Sequence, residues 1–254
     1  MPSCQAGGQS WSDALAAEPP LQPPGRPPTE VRPGLWLFAP HRDTRGGSAW
    51  LLSTAVGDVL VDCPAANPAN LAFLEARRRR GQQGWITLTG RDGHGPCRQL
   101  QRLLDWPVLV QEQEAFLLPN VERLRAFGAG LEPAPGLRLL WTPGPSPGAC
   151  VLLCRDGLGP GTDLLFCGRL LVPLAPGRLQ PLRRRLTFHW PRQLASLEAL
   201  CRWLPPGSPA WIATGAALGA LRGEALVGPE ADRQLRQLDL AALASHQVDP
   251  ADLG

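Results

Sequence analysis

The chain of 254 residues contains no lysine and no tyrosine, a single methionine and only four histidines. Codons for lysine and tyrosine are AT-rich, so a GC-rich coding sequence accounts for both gaps. Without lysine there is no G-x-x-x-x-G-K-[ST] phosphate loop. No serine is read as the nucleophile of a strand-to-helix elbow; the serine of "GGSAW" belongs to a hairpin. The seven cysteines (Cys4, Cys63, Cys97, Cys150, Cys154, Cys167 and Cys201) include no C-x-x-C pair and several lie in apolar runs. They are read as small buried hydrophobes rather than as disulfides. No apolar run approaches the roughly 20 residues of a membrane span. The start "MPSCQAGGQSWSDALAAEPP" has neither a basic beginning nor an apolar centre, so no secretory leader is expected. A cytoplasmic location without membrane contact is the expectation.

A formal net charge of +3 is too small to argue for a nucleic-acid partner. The runs Arg77–Arg80 and Arg183–Arg185 are local exceptions. Such runs are usually the solvated ends of elements, and a role with phosphate or another polyanion is the alternative.

Apolar residues make up 44% of the chain, enough for a substantial core. Residues 1–29, ending in "EPPLQPPGRPPTE", are expected to be a disordered arm, because proline removes donors and fixes φ. Residues 30–254 are expected to form one domain. Strands are expected at "GLWLF", "SAWLLST", "DVLVDC", "WITLT", "WPVLVQ", "GLRLLW", "ACVLLC", "DLLFCG" and "AWIATG". Helices are expected at "PANLAFLEARRRR", "CRQLQRLLD", "EQEAFLL", "PRQLASLEALCRWL" and "PEADRQLRQLDLAALASH", with a loop over Leu170–His189.

The order of the connecting loops carries more. A hairpin "GGSAWLLSTAVGDVLVDCP" precedes a helix; then come "TLTGRDGHG", "TPGPSPGACVLL", "LFCGR" and "PAWIATGA". This order resembles the metallo-β-lactamase superfamily, whose corresponding pieces are T-H-x-H-x-D-H, T-P-G-H-T-x-G-S, T-G-D and P-G-H. "GRDG" and Trp190-Pro191-x-Gln193 also resemble a divergent branch whose first metal loop reads H-R-D-D. The resemblance covers about residues 31–220. It implies an α/β fold of the αββα type, two mixed β-sheets flanked by helices, and it places the ancestral metal site at named positions.

Those positions depart from the pattern. The histidines of the first loop fall on Gly90, Asp92 and Gly95, and its aspartate on His94. The histidine of the T-P-G-H turn falls on Pro145, the bridging aspartate on Arg169, and the last histidine on Gly215. Asp62 closes the hairpin strand. Glycine and proline side chains cannot coordinate, and a hydrolytic zinc site needs three protein ligands and an open position. The resemblance therefore implies a hydrolase fold with no metal, and a binding or regulatory protein rather than a zinc hydrolase. Two alternatives stay open. One is an atypical single zinc or iron ion on Asp92 and His94, with Cys167 as a distant third ligand. The other is metal-free binding of a small anionic ligand at Arg169. A Cys97–His94 pair also stays open, although nothing activates that thiol. If Asp62, Asp92 and Arg169 converge, the arginine is expected within salt-bridge distance of one or both carboxylates.

Overall fold

The computed structural model describes residues 24–81 and 83–245. Residues 1–23, most of the arm expected to lack order, lie outside them. The rest of that arm is placed: the Pro24 carbonyl accepts the Ala69 N–H at 2.9 Å, and the first strand opens at Thr29. A proline carbonyl needs no donor of its own to satisfy an open N–H in the first turn of a helix.

Seven strands form the first sheet in chain order: β1 (Thr29–Arg32), β2 (Leu35–His41), β3 (Gly47–Thr54), β4 (Gly57–Val61), β5 (Gly84–Thr87), β6 (Val108–Gln111) and β7 (Leu124–Phe127). Pairing is antiparallel as far as β4 and parallel from there to β7. The second sheet contains β8 (Gly130–Ala134), β9 (Leu137–Trp141), β10 (Cys150–Cys154), β11 (Leu164–Phe166) and β14 (Trp211–Ala213), ordered β14-β11-β10-β9-β8. Its β11–β14 pair is parallel and the others are antiparallel. Helices α1 (Pro68–Arg79) and α2 (Cys97–Leu104) cover the first sheet. The second is covered by α4 (Trp190–Trp203) and α5 (Ala231–Arg236), with α6 (Leu240–Ser245) beside them.

Three apolar layers result. Trp50, Leu52, Val59 and Val61 meet Leu152, Leu164 and Phe166 between the sheets. Ala49, Leu51 and Leu60 face Leu74 and Leu100 of the helices instead. Both faces of β3 and β4 are thus buried, which is why "SAWLLST" and "DVLVD" are nearly continuous apolar runs rather than alternating ones. Helix α1 begins as its sequence dictates: the Asn67 side chain accepts the Asn70 N–H and Pro68 occupies the first turn. Helix α4 buries Leu194, Leu197 and Leu200 against the second sheet.

Three differences from the sequence reading have local causes. Leu170–His189 is not all loop: β12 (Val172–Ala175) and β13 (Arg178–Gln180) pair across the turn at Pro176-Gly177. The last expected helix is two, α5 and α6, because the Asp239 side chain accepts the Ala242 N–H and starts a new helix. Strands β1, β7 and β8 were not expected; they lie at sheet edges and are short of buried side chains. The short α3 (Glu112–Ala115) agrees with "EQEA". No helix of the described residues is long and apolar enough to cross a membrane. Cys63, Cys97, Cys150, Cys154 and Cys167 are free and buried, and Cys201 is free and partly buried.

Candidate functional site

The C-terminal ends of β4, β5, β11 and β14 open on one edge of the sandwich, the place where ligands sit in open α/β sheets. Asp62 follows β4 and turns there through a left-handed backbone conformation (φ 58°), which aspartate tolerates better than most residues. Its carboxylate accepts the Thr89 N–H at 2.8 Å and the Thr89 hydroxyl at 2.7 Å. Gly93 and Gly215 close over it: a Cβ on Gly93 would lie 2.0 Å from Asp62 Oδ1, and one on Gly215 would lie 3.0 Å from Oδ2. Burial pushes the Asp62 carboxyl up to about 6, opposed by the Thr89 hydrogen bonds and by Arg169.

Arg169 follows β11 and reaches across this cleft. Its Nη2 donates to the carbonyls of Thr44 (2.6 Å) and Arg45 (3.3 Å), and its Nε lies 3.5 Å from Asp92 Oδ2. Arg45 approaches the other oxygen, with Nη1 3.4 Å from Asp92 Oδ1. The Asp92 carboxylate is therefore held between two guanidinium groups. Room for Arg169 is made at Gly47, where a Cβ would lie 2.9 Å from Nη2 and 2.7 Å from the Gly215 carbonyl. Burial holds the Arg169 guanidinium below its ordinary pKa; Asp92 opposes this, while Arg184 pushes the same way as burial.

The cleft itself is small, about 30 Å³, space for about one or two waters. Six of the eight ancestral-site positions line it: Asp62, Gly90, Asp92, Pro145, Arg169 and Gly215. His94 and Gly95 do not. The His94 ring points the other way, with Nε2 3.8 Å from Oε2 of the buried Glu114. Burial lowers its pKa despite Glu114, which favours the neutral ring at neutral pH. Asp92 lines the cleft and His94 does not, so the expected partnership of the two around a metal is not built; the nearest group to His94 Nε2 is the Glu114 carboxylate, beyond hydrogen-bond distance. Cys167 is also absent from the lining: its buried thiol lies 3.7 Å from the Leu171 carbonyl, and burial pushes it up to about 12. The buried Cys97 thiol neighbours Cys63.

Set against a metal ion, the lining offers two carboxylates, one clamped by arginines and one hydrogen-bonded to Thr89, and a fixed cation. Among the described residues no group of three or more His, Cys, Asp or Glu is arranged to hold a metal. A unit charge 4 Å from another unit charge interacts at about 4 kcal/mol at an effective dielectric near 20, and a dication beside Arg169 would meet about twice that as repulsion. The residues present do not fit the metal that the resemblance implies.

Sequence reading missed several participants. Glu114, in α3, accepts the Gly148 N–H at 3.0 Å and meets Arg91 at 3.5 Å, tying the Gly90–Gly95 loop to the "TPGPSPG" turn. Nothing local marks it, since its partners lie far along the chain. Arg45 was an anonymous loop residue. The turn Gly144–Gly148 also spells G-x-S-x-G, which the sequence reading passed over. It joins two strands, β9 and β10, rather than a strand and a helix, and the Ser146 hydroxyl is buried without a partner. That context is not a nucleophile elbow.

Structural comparison agrees with this architecture. An archaeal metallo-β-lactamase superfamily protein from Sulfolobus tokodaii superposes with a TM-score of 0.56 over 87% of this chain and 90% of its own, at 17% identity. The chain has the metallo-β-lactamase fold. A subclass B3 metallo-β-lactamase from a soil metagenome library gives 0.55 over 88% and 98% at 19% identity. A protein crystallised in a di-iron-bound form gives 0.51 over 71% and 93% at 24% identity. No family model matches the sequence, and no curated protein matches it. Identities this low establish the fold, and activity has to be argued from the site.

Proposed function

We propose that this protein is a metal-free member of the metallo-β-lactamase fold, a binding or regulatory protein and not a zinc hydrolase. The observation that carries the reading is the Arg169 guanidinium at the bridging-carboxylate position, 3.5 Å from Asp92 and anchored on the Thr44 and Arg45 carbonyls. An arginine there supplies, permanently and without exchange, the positive charge that two carboxylates in a cleft require. The position of His94 supports the same reading, since the one histidine left in the first loop does not line the cleft and faces Glu114 at 3.8 Å.

The test is an assay on β-lactam and thioester substrates after addition of zinc or iron. No hydrolysis above the uncatalysed rate is expected. Chelator-sensitive hydrolysis that disappears in Asp92→Ala would overturn the proposal.

A further inference from the structure

Beyond Asp92 and Pro145 the cleft opens into a second, much larger pocket of about 420 Å³, within the range of small-molecule sites. Four arginines line it, Arg45, Arg169, Arg184 and Arg185, against one acid, Asp92. The wall thus carries three more positive charges than negative ones, as many as the formal net charge of the whole chain. Charge is concentrated here and otherwise balanced, which suits a compact ligand better than an extended polyanion. Asp92 is already shared by Arg45 and Arg169, and Arg184 and Arg185 have no acidic partner among the described residues.

The remaining wall is apolar: Val172 is buried, and Leu182 and Leu186 come from the same segment as the arginines. Leu186 is 66% exposed, an apolar side chain left uncovered at the pocket mouth. Gln193 also lines the pocket. It is 1% exposed, its Nε2 donates to the Leu170 carbonyl at 3.0 Å, and its Oε1 has no partner. A buried amide oxygen without a donor calls for a bridging water, since a phosphate dianion has no hydrogen to offer it.

We infer that this pocket binds an organic phosphate monoester with an apolar body, its dianionic head held by Arg184, Arg185 and Arg45 and its body against Leu182 and Leu186. A dianion offsets the surplus charge better than a carboxylate does, and the guanidinium fork matches phosphate oxygens in pairs. The inference rests on the metal-free reading, because a bound dication would hold a phosphate by itself.

The test is calorimetric titration of chelator-treated protein with hexyl phosphate, inorganic phosphate and hexanol. Hexyl phosphate is expected to bind on the order of tenfold or more tighter than inorganic phosphate, since only it buries apolar surface, and hexanol is expected not to bind. The double variant Arg184→Gln/Arg185→Gln should lose at least about tenfold in affinity while its melting temperature holds, because both side chains are exposed. Arg183→Gln, exposed and outside the pocket, should bind like the parent. Equal affinity for hexyl and inorganic phosphate, or equal loss in Arg183→Gln and the double variant, would overturn the inference and leave the metal-free reading standing. Zinc-dependent release of phosphate from hexyl phosphate would instead overturn the metal-free reading.

Discussion

Two side chains decide how the cleft behaves, and both can be tested singly. Arg169 and Asp92 are 18% and 26% exposed at the side chain, so each keeps some water and their pairing is weaker than a fully buried one. Arg169→Met removes the pair and two hydrogen bonds to carbonyls. It is expected to cost about 1–3 kcal/mol in denaturant unfolding. A double-mutant cycle with Asp92→Asn should show that part of this loss is coupling between the two residues. An unchanged unfolding midpoint in Arg169→Met would mean that the arginine holds nothing.

Asp62 gives a pH prediction. Its carboxyl is raised from 3.8 to about 6 by burial, so the folded protein binds more protons than the unfolded chain between those values. Stability from this group is therefore full below about pH 4 and is lost as pH rises through about 6, by at most about 3 kcal/mol. Asp62→Asn cannot titrate and should flatten that slope, whatever its stability at a single pH. Unfolding measured from pH 4 to 8 on both proteins checks this; parallel curves would show that Asp62 is not the titrating group.

At the scale of elements, the hairpin β3–β4 is fixed to the cleft by its first residue. Gly47→Ala would set a Cβ against the Gly215 carbonyl and the Arg169 guanidinium, and neither can move without disturbing the strand ends. A loss of about 1–3 kcal/mol is expected, and Arg169→Met should not add its full effect to it. Additive losses would show that the two residues do not share one space.

Elements also show what was legible in the sequence. Buried strands such as β3, β4 and β10 were readable because both faces are covered and their apolar runs are continuous. Helix α1 was readable from Pro68 near its start and Gly81 after its end, while the Asn67 cap was not read. The edge strands β7 and β8 were not, since few of their side chains are buried and they leave no pattern. The break between α5 and α6 was hidden in Asp239, whose capping is visible only when the backbone turns. The cleft was half legible: the order of the loops placed Asp62, Asp92, Pro145 and Arg169 together. Arg45 and Glu114 were not, because their partners come from distant segments. Arg77, read as part of a solvated run, is buried against Trp36 (4.0 Å to the ring) and 3.6 Å from Asp58.

On the scale of the whole molecule, the αββα sandwich is retained at identities of 17–24% to the solved structures compared with it. Its three apolar layers lie between and outside the two sheets, and the cleft lies at the strand ends. The metal-free proposal rests on the arginine at that edge, Arg169, beside Asp92. Elemental analysis of the protein, purified from cells grown with added zinc and iron, tests that claim most directly. The account predicts well under one equivalent of either metal in the parent protein, with no change in Asp92→Ala. One equivalent of bound metal, lost in Asp92→Ala or His94→Ala, would contradict it.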